Sequence, residues 1–220
     1  MCIVWNYTTT KPLQSVFSLQ LMIWCHGIYE AMKTNRKVHL MKWNDLQFTD
    51  IFQDHEYVVK SCETYDNNVR RVKKIMTIKS YIHHLQNEKM FYDILLIMKS
   101  LEASDMIMEC VKTCLRELND FCIIDTRGYI GTSIRTNMIY DLELNKIELF
   151  HHMKPSKNTK VLLFKEDISN QEWLQDYYDV VYLPSSIKKQ IMQCVEFFLI
   201  KYSKCYYNTY VELSPYTYIV

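Results

Sequence analysis

Cys2 is the residue whose type and position most directly suggest chemistry in this sequence. Removal of Met1 would leave a thiol and a free α-amine on one residue, and that amine could serve as the base that activates the thiol. A nucleophile of this kind attacks amide or ester carbonyls, and Arg135 and Asn137 are candidate groups for the oxyanion or the substrate. The alternative, which we favour, is a structural Cys2 packed between apolar neighbours in a first strand.

Paired histidines and a pair of cysteines have the side chains of a zinc site. His83-His84 and His151-His152 offer imidazoles, and Cys110 and Cys114 have the i, i+4 spacing that places two thiols on one helix face. However, the sequence has no CxxC, and neighbouring helical histidines point about 100° apart. We therefore predict no metal site and no cofactor, and we expect both cysteines to pack against a neighbouring helix.

Glycine scarcity argues against the usual phosphate-binding loops. The three glycines fit neither GxGxxG nor GxxxxGK[ST]. Gly128–Ser133 follows a predicted strand and could bind an anion through its backbone amides, but a tight turn is the simpler interpretation. The basic run Arg70–Lys74 fits the solvated face of an amphipathic helix, and the formal net charge is +1, so nucleic acid is an unlikely partner.

Two short segments resemble known families. Thr136–Leu149 is similar to a late hairpin of some N-terminal-nucleophile amidases and acyltransferases, and this resemblance implies a catalytic Cys2. Leu183–Ile187 resembles the opening of F-box-like helices, which implies an adaptor helix over residues 183–200.

Strand patterns at both ends of the chain flank a helical middle. We predict an α/β or α+β fold with one mixed sheet, built from residues 1–65 and 121–220, and a helical layer over residues 66–120. Thr136–Asp141 and Lys146–Phe150 are predicted to form a β-hairpin, and Tyr210–Val220 to close the sheet. No linker or repeat divides the chain, so residues 1–220 are predicted to form a single domain, with residues 66–120 as a possible helical insert.

The composition favours an interaction protein. Lys, Asn, Ile, Met and Tyr are abundant, as in A/T-rich genomes, and the 17 tyrosines and 12 methionines suit adaptable protein contacts. The sequence shows no secretory signal and no apolar span of about 20 residues, so we predict reduced cysteines, a cytoplasmic or nuclear location and no membrane partner. Our leading hypothesis is a non-enzymatic viral factor that binds host proteins in immune evasion. The alternatives are the Cys2 amidohydrolase and the F-box-like adaptor.

Overall fold

The computed structural model describes residues 2–5, 16–61, 78–116, 118–125, 146–164 and 172–208. The chain groups into two compact units, Met1–Glu109 (unit 1) and Cys110–Tyr218 (unit 2). The single-domain prediction for residues 1–220 stays a prediction, because two compact units can fold together or separately.

Unit 1 is organised by a parallel strand pair and a central helix. Strand β1 (Cys2–Trp5) pairs with β2 (Lys37–Leu40), and helix α1 (Phe17–Thr34) lies between them in the chain. Side chains on nearly every side of α1 are buried, which fits its largely apolar sequence. At Gly27 a Cβ atom would come within 2.7 Å of Trp5 Cδ1, so glycine permits the close approach of α1 to β1.

Helices dominate the rest of unit 1 and confirm the predicted helical layer. The described helices are α2 (Phe48–Ile51), α3 (Ile78–Asn87), α4 (Phe91–Ser100) and α5 (Asp105–Leu115), of which α5 spans the boundary between the units. Helix α4 packs against α1, and one side of α4 is buried. The sequence Tyr57–Cys62 also has the pattern of a strand, and its described part, residues 57–61, makes a single parallel bridge, Val58 to Val38.

Unit 2 contains a four-stranded parallel sheet. Its elements in chain order are β3 (Cys122–Asp125), α6 (Lys146–His152), β4 (Lys160–Phe164), α7 (Leu174–Tyr177), β5 (Asp179–Val181), α8 (Lys189–Tyr202) and β6 (Cys205–Asn208). The strand order in space is β5-β4-β3-β6. Strands β3 and β4 are buried almost completely, as expected for the central strands of a parallel sheet covered on both faces.

The α/β class is confirmed, but the strands are arranged differently from the prediction. In the described residues they form two parallel sheets instead of one mixed sheet. A helix lies between each two successive strands of a sheet, and such crossovers return the chain in the same direction. The predicted closing strand at residues 210–220 lies outside the described residues.

The predicted second strand of a hairpin, Lys146–Phe150, is wrong, because these residues begin helix α6. Leu149 and Met153 are one helical turn apart and both enter the core of unit 2. Lys146 and Phe150, also one turn apart, meet the aromatic rings of Trp173 and Tyr177, with the Lys146 Nζ 4.6 Å from the centre of the Tyr177 ring. Residues 136–141, the other half of that hairpin, are outside the described residues.

Within the described part of the chain, none of the helices is both long enough and apolar enough to cross a membrane.

Candidate functional site

The strand order of unit 2 points to a ligand site at one edge of its sheet. From β3 the chain moves outward to β4 and then β5, and it then returns to place β6 on the other side of β3. The connection that leaves β3 therefore runs toward β4 and away from β6, whereas the connection that arrives at β6 crosses to the other side of β3. In open parallel sheets this reversal opens a crevice beyond the carboxyl ends of the two strands, where ligands bind. The candidate site is the carboxyl edge of β3 and β6, which we call the switch edge.

Polar residues end both strands at the switch edge. Asp125 is the last residue of β3, and it stands in register with Asn208, the last residue of β6. The Asp125 carboxylate is fully buried and accepts a hydrogen bond of 3.1 Å from the Tyr206 hydroxyl. A buried carboxylate is tolerated only with such donors, so this contact ties the ends of β3 and β6 together.

Unit 1 has a separate cavity of about 260 Å³ beside the carboxyl end of β2. The backbone around it is held by hydrogen bonds: the Trp24 indole N–H donates to the Met41 carbonyl at 2.9 Å, and His39 Nδ1 lies 3.3 Å from the Val59 carbonyl. Its lining is mainly apolar with two lysines, and comprises His39, Leu40, Met41, Lys42, Gln47, Phe48, Thr49, Val58, Val59 and Lys60.

The sequence-predicted catalytic residues do not come together in the described structure. Cys2 lies in β1, opposite Lys37, and its sulfur is disulfide-bonded. It therefore has no thiol with which to attack a carbonyl, and the prediction of reduced cysteines is wrong at this position. Arg135 and Asn137 lie outside the described residues.

The candidate metal ligands are dispersed over separate helices. His83 and His84 lie on α3, Cys110 and Cys114 on α5, and His151-His152 on α6. His83, His151 and His152 are exposed, whereas Cys114 is buried. Over the described ranges, no three potential metal-binding side chains of the His, Cys, Asp or Glu type form a group.

Sequence reasoning missed Asp125 and Tyr206. The short apolar run Phe121–Ile124 predicts a strand, and the signal for a site was the carboxylate directly after it. The polar ends of parallel strands are the usual places for ligand-binding side chains. Tyr206 could not be found in the same way, because its partner lies on a strand distant in the sequence.

The fold of this chain is similar to that of several solved fucosyltransferase structures. NodZ from Bradyrhizobium, in its selenomethionine form, matches with a TM-score of 0.62 and 11% identity, over 99% of this chain and 90% of that one. NodZ alpha-1,6-fucosyltransferase co-crystallized with GDP matches with a TM-score of 0.61 and 11% identity, over 99% and 91% of the two chains. The same enzyme soaked with GDP-fucose gives a TM-score of 0.57 at 11% identity, with the same coverage. No protein-family model and no curated protein matches the sequence.

This likeness overturns the leading hypothesis from the sequence. The solved proteins that share the fold over nearly the whole chain are enzymes, so the prediction of a non-enzymatic viral host-interaction factor acting in immune evasion is wrong. The tyrosine and methionine content that suggested it also follows from A/T-rich codon usage, so it does not by itself indicate an activity.

The two alternatives from the sequence are also wrong. The disulfide at Cys2 is incompatible with a free N-terminal thiol nucleophile. An F-box-like adaptor at residues 183–200 would need an exposed apolar helix face. Helix α8 instead starts at Lys189, and all residues from Cys194 to Ile200 are buried within the protein.

Proposed function

We propose that the protein is a glycosyltransferase that takes a sugar from a nucleoside-diphosphate donor, with the nucleotide bound at the switch edge of unit 2. The observation that carries this proposal is the fold shared over 99% of the chain with a fucosyltransferase crystallized with GDP. The reversal of strand order between β3 and β6 independently supports the same location.

The reaction defines what such a site must hold. An acceptor hydroxyl attacks the anomeric carbon of the donor sugar, the bond from that carbon to the diphosphate oxygen breaks, and the hydroxyl proton passes to a base. The nucleoside diphosphate leaves with an additional negative charge. Positive side chains and hydrogen-bond donors aimed at the leaving diphosphate therefore accelerate the step.

Arg127 is our candidate for the diphosphate ligand. It follows the last residue of β3 by two positions in the sequence, and the guanidinium group binds phosphate oxygens in a bidentate manner. Gly128 comes next, and the backbone amides of Gly128–Ser133 are a further candidate source of donors. In this proposal Asp125 is a positioning residue, which fixes the end of β3 through Tyr206.

Nucleotide binding tests the proposal directly. We expect titration calorimetry to show binding of GDP, and incubation with GDP-fucose and an acceptor glycan to release GDP. UDP and ADP serve as comparison ligands that define the base preference. If a folded protein bound none of the three diphosphates at millimolar concentration, the proposal would be refuted.

A matched pair of arginine substitutions tests the site itself. Arg127→Ala should weaken GDP binding at least tenfold, about 1.4 kcal/mol, because a charge-assisted contact to the diphosphate is lost. Arg116→Ala removes an exposed arginine near the end of α5 and should leave GDP affinity unchanged. If both variants bound GDP with equal affinity, Arg127 would not be a diphosphate ligand. The proposed activity itself would still be tested by the binding experiment above.

We further propose a cytoplasmic location, with the nucleus as the alternative, because six of the seven described cysteines lie outside disulfides and Cys2 is the exception. Alkylation of the protein in lysates of its native source, followed by intact-mass measurement, tests this. Closure of several of these six thiols into disulfides would place the protein in an oxidising compartment instead.

A further inference from the structure

Two thiols lie side by side at the edge of the unit 2 sheet opposite the switch edge. Cys122 is the first residue of β3, and it stands in register with Cys205, the first residue of β6. Both side chains point to the same face of the sheet, where they pack with Tyr178 and Tyr207. The thiols are close enough for a hydrogen bond to each other, and neither is in a disulfide.

The strand geometry allows these thiols to be joined. Neighbouring strands lie about 4.7–4.9 Å apart. Disulfides form between residues whose Cα atoms are about 4.4–6.8 Å apart. Register partners on adjacent strands therefore meet the distance requirement without a large backbone movement.

The surroundings of the pair favour a thiolate. The hydrogen bond from Cys205 lowers the pKa of Cys122 to about 7, and the nearby Lys204 ammonium acts in the same direction. Lys204 also pairs with Asp120 at 2.8 Å, and the Asp120 carboxylate opposes the effect on Cys122. The pKa of Cys205 is raised, because Cys205 supplies the proton that stabilises its neighbour and would have to ionise beside a thiolate.

We propose that Cys122 and Cys205 are a thiol–disulfide exchange site that reacts with small disulfides of the glutathione type. The Cys122 thiolate attacks one sulfur of the reagent, the reagent's S–S bond breaks, and one reagent thiolate leaves. Cys205 then loses its proton and its sulfur attacks the Cys122 sulfur of the mixed disulfide, which releases the second reagent thiolate. Protonation of both gives two reduced reagent molecules and one Cys122–Cys205 bond.

Accessibility distinguishes the pair from the deeply buried thiols Cys25 and Cys194. Cys205 is partly exposed and Cys122 is 8% exposed, so a small reagent can reach the pair from the sheet edge. Cys25 and Cys194 are fully buried, and burial raises the pKa of both thiols. Their thiolate populations are therefore negligible at neutral pH.

The test equilibrates the full-length protein with mixtures of reduced and oxidised glutathione. After acid quenching and alkylation, peptide mapping by mass spectrometry measures the fraction of the protein that carries the Cys122–Cys205 cross-link. We expect the cross-linked fraction to rise with the oxidised fraction and to return to zero when excess reduced glutathione is added.

Two variants identify the roles of the sulfurs. In Cys205→Ser the mixed disulfide between Cys122 and glutathione should accumulate, because the resolving thiol is missing. Cys110→Ser, which removes a partly exposed thiol on α5, should cross-link like the unchanged protein. Circular dichroism checks that each variant is folded. If one of them is unfolded, Cys122→Ala is used in its place, and we expect no glutathione to be attached to Cys205 in that variant. Absence of the cross-link in oxidised glutathione, or equally fast modification of Cys110, would overturn the proposal.

Discussion

The Asp125 carboxylate is the residue on which the candidate site depends most. It is buried completely, and a buried charge without hydrogen-bond donors costs several kcal/mol. The Tyr206 hydroxyl supplies a donor across the β3–β6 pair at 3.1 Å. The tyrosine therefore stabilises the end of β3 as well as its own strand.

Tyr206→Phe tests this contact. We expect the free energy of unfolding in urea to fall by about 1–3 kcal/mol, because a buried acceptor loses its hydrogen bond while the ring is retained. Tyr202→Phe alters an exposed tyrosine on α8 and should change the stability by less than about 0.5 kcal/mol. Equal stabilities of the two variants would show that the hydroxyl of Tyr206 does not hold Asp125.

The thiol pair predicts a pH dependence of chemical labelling. Thiolate is the reactive form, so alkylation of Cys122 by iodoacetamide should be slow at pH 5.5 and rise through a midpoint near its pKa of about 7. The charged and titratable groups that act on Cys122 are Cys205, Lys204, Asp120 and Tyr178. Cys205→Ala removes the stabilising hydrogen bond, so the midpoint should move upward toward the ordinary thiol pKa. An unchanged midpoint in that variant would exclude Cys205 as the cause.

At the level of single elements, α4 offers a matched pair of positions. Ile94 is fully buried, whereas Leu96 on the same helix is 64% exposed. Ile94→Ala should cost about 2–5 kcal/mol, because it leaves a cavity in the core of unit 1. Leu96→Ala should change stability by less than about 0.5 kcal/mol. Chemical denaturation of both variants checks the prediction, and a larger loss for Leu96 would show that the face assigned to solvent is covered.

Sequence patterns predicted helices and strands well where burial in the core requires the spacing of apolar residues that is typical of only one of the two. The nearly all-apolar run Phe91–Leu101 predicts a helix and forms α4, and the short apolar run Val161–Phe164 predicts a buried strand and forms most of β4. Lys146–Phe150 was misread because five residues that alternate in polarity fit either a strand or a short helix. In the helical form Lys146 and Phe150 contact Trp173 and Tyr177, which lie in a distant part of the chain and cannot be located from the local sequence.

At the level of the whole molecule, the α/β class was predictable and the activity that we propose was not. The class follows from apolar runs of strand length around helical segments, which are local features. The strand order that creates the switch edge depends on which strands pair, and pairing is decided by contacts between distant segments. The sequence lacks the familiar glycine-rich phosphate loops, but the nucleotide site that we propose at the meeting of two strands does not require those motifs.

The pairing of β3 with β6 has a consequence for how unit 2 reaches its final form. Strand β4 follows β3 closely in the chain, whereas Cys205 joins Cys122 from more than eighty residues away. Closing so long a loop carries a larger entropy cost than the local steps, so β6 should dock last. During synthesis on the ribosome, the proposed nucleotide site beside Asp125 would then stay unformed until the polypeptide beyond residue 208 has emerged, and we expect no shorter nascent chain to bind nucleotide.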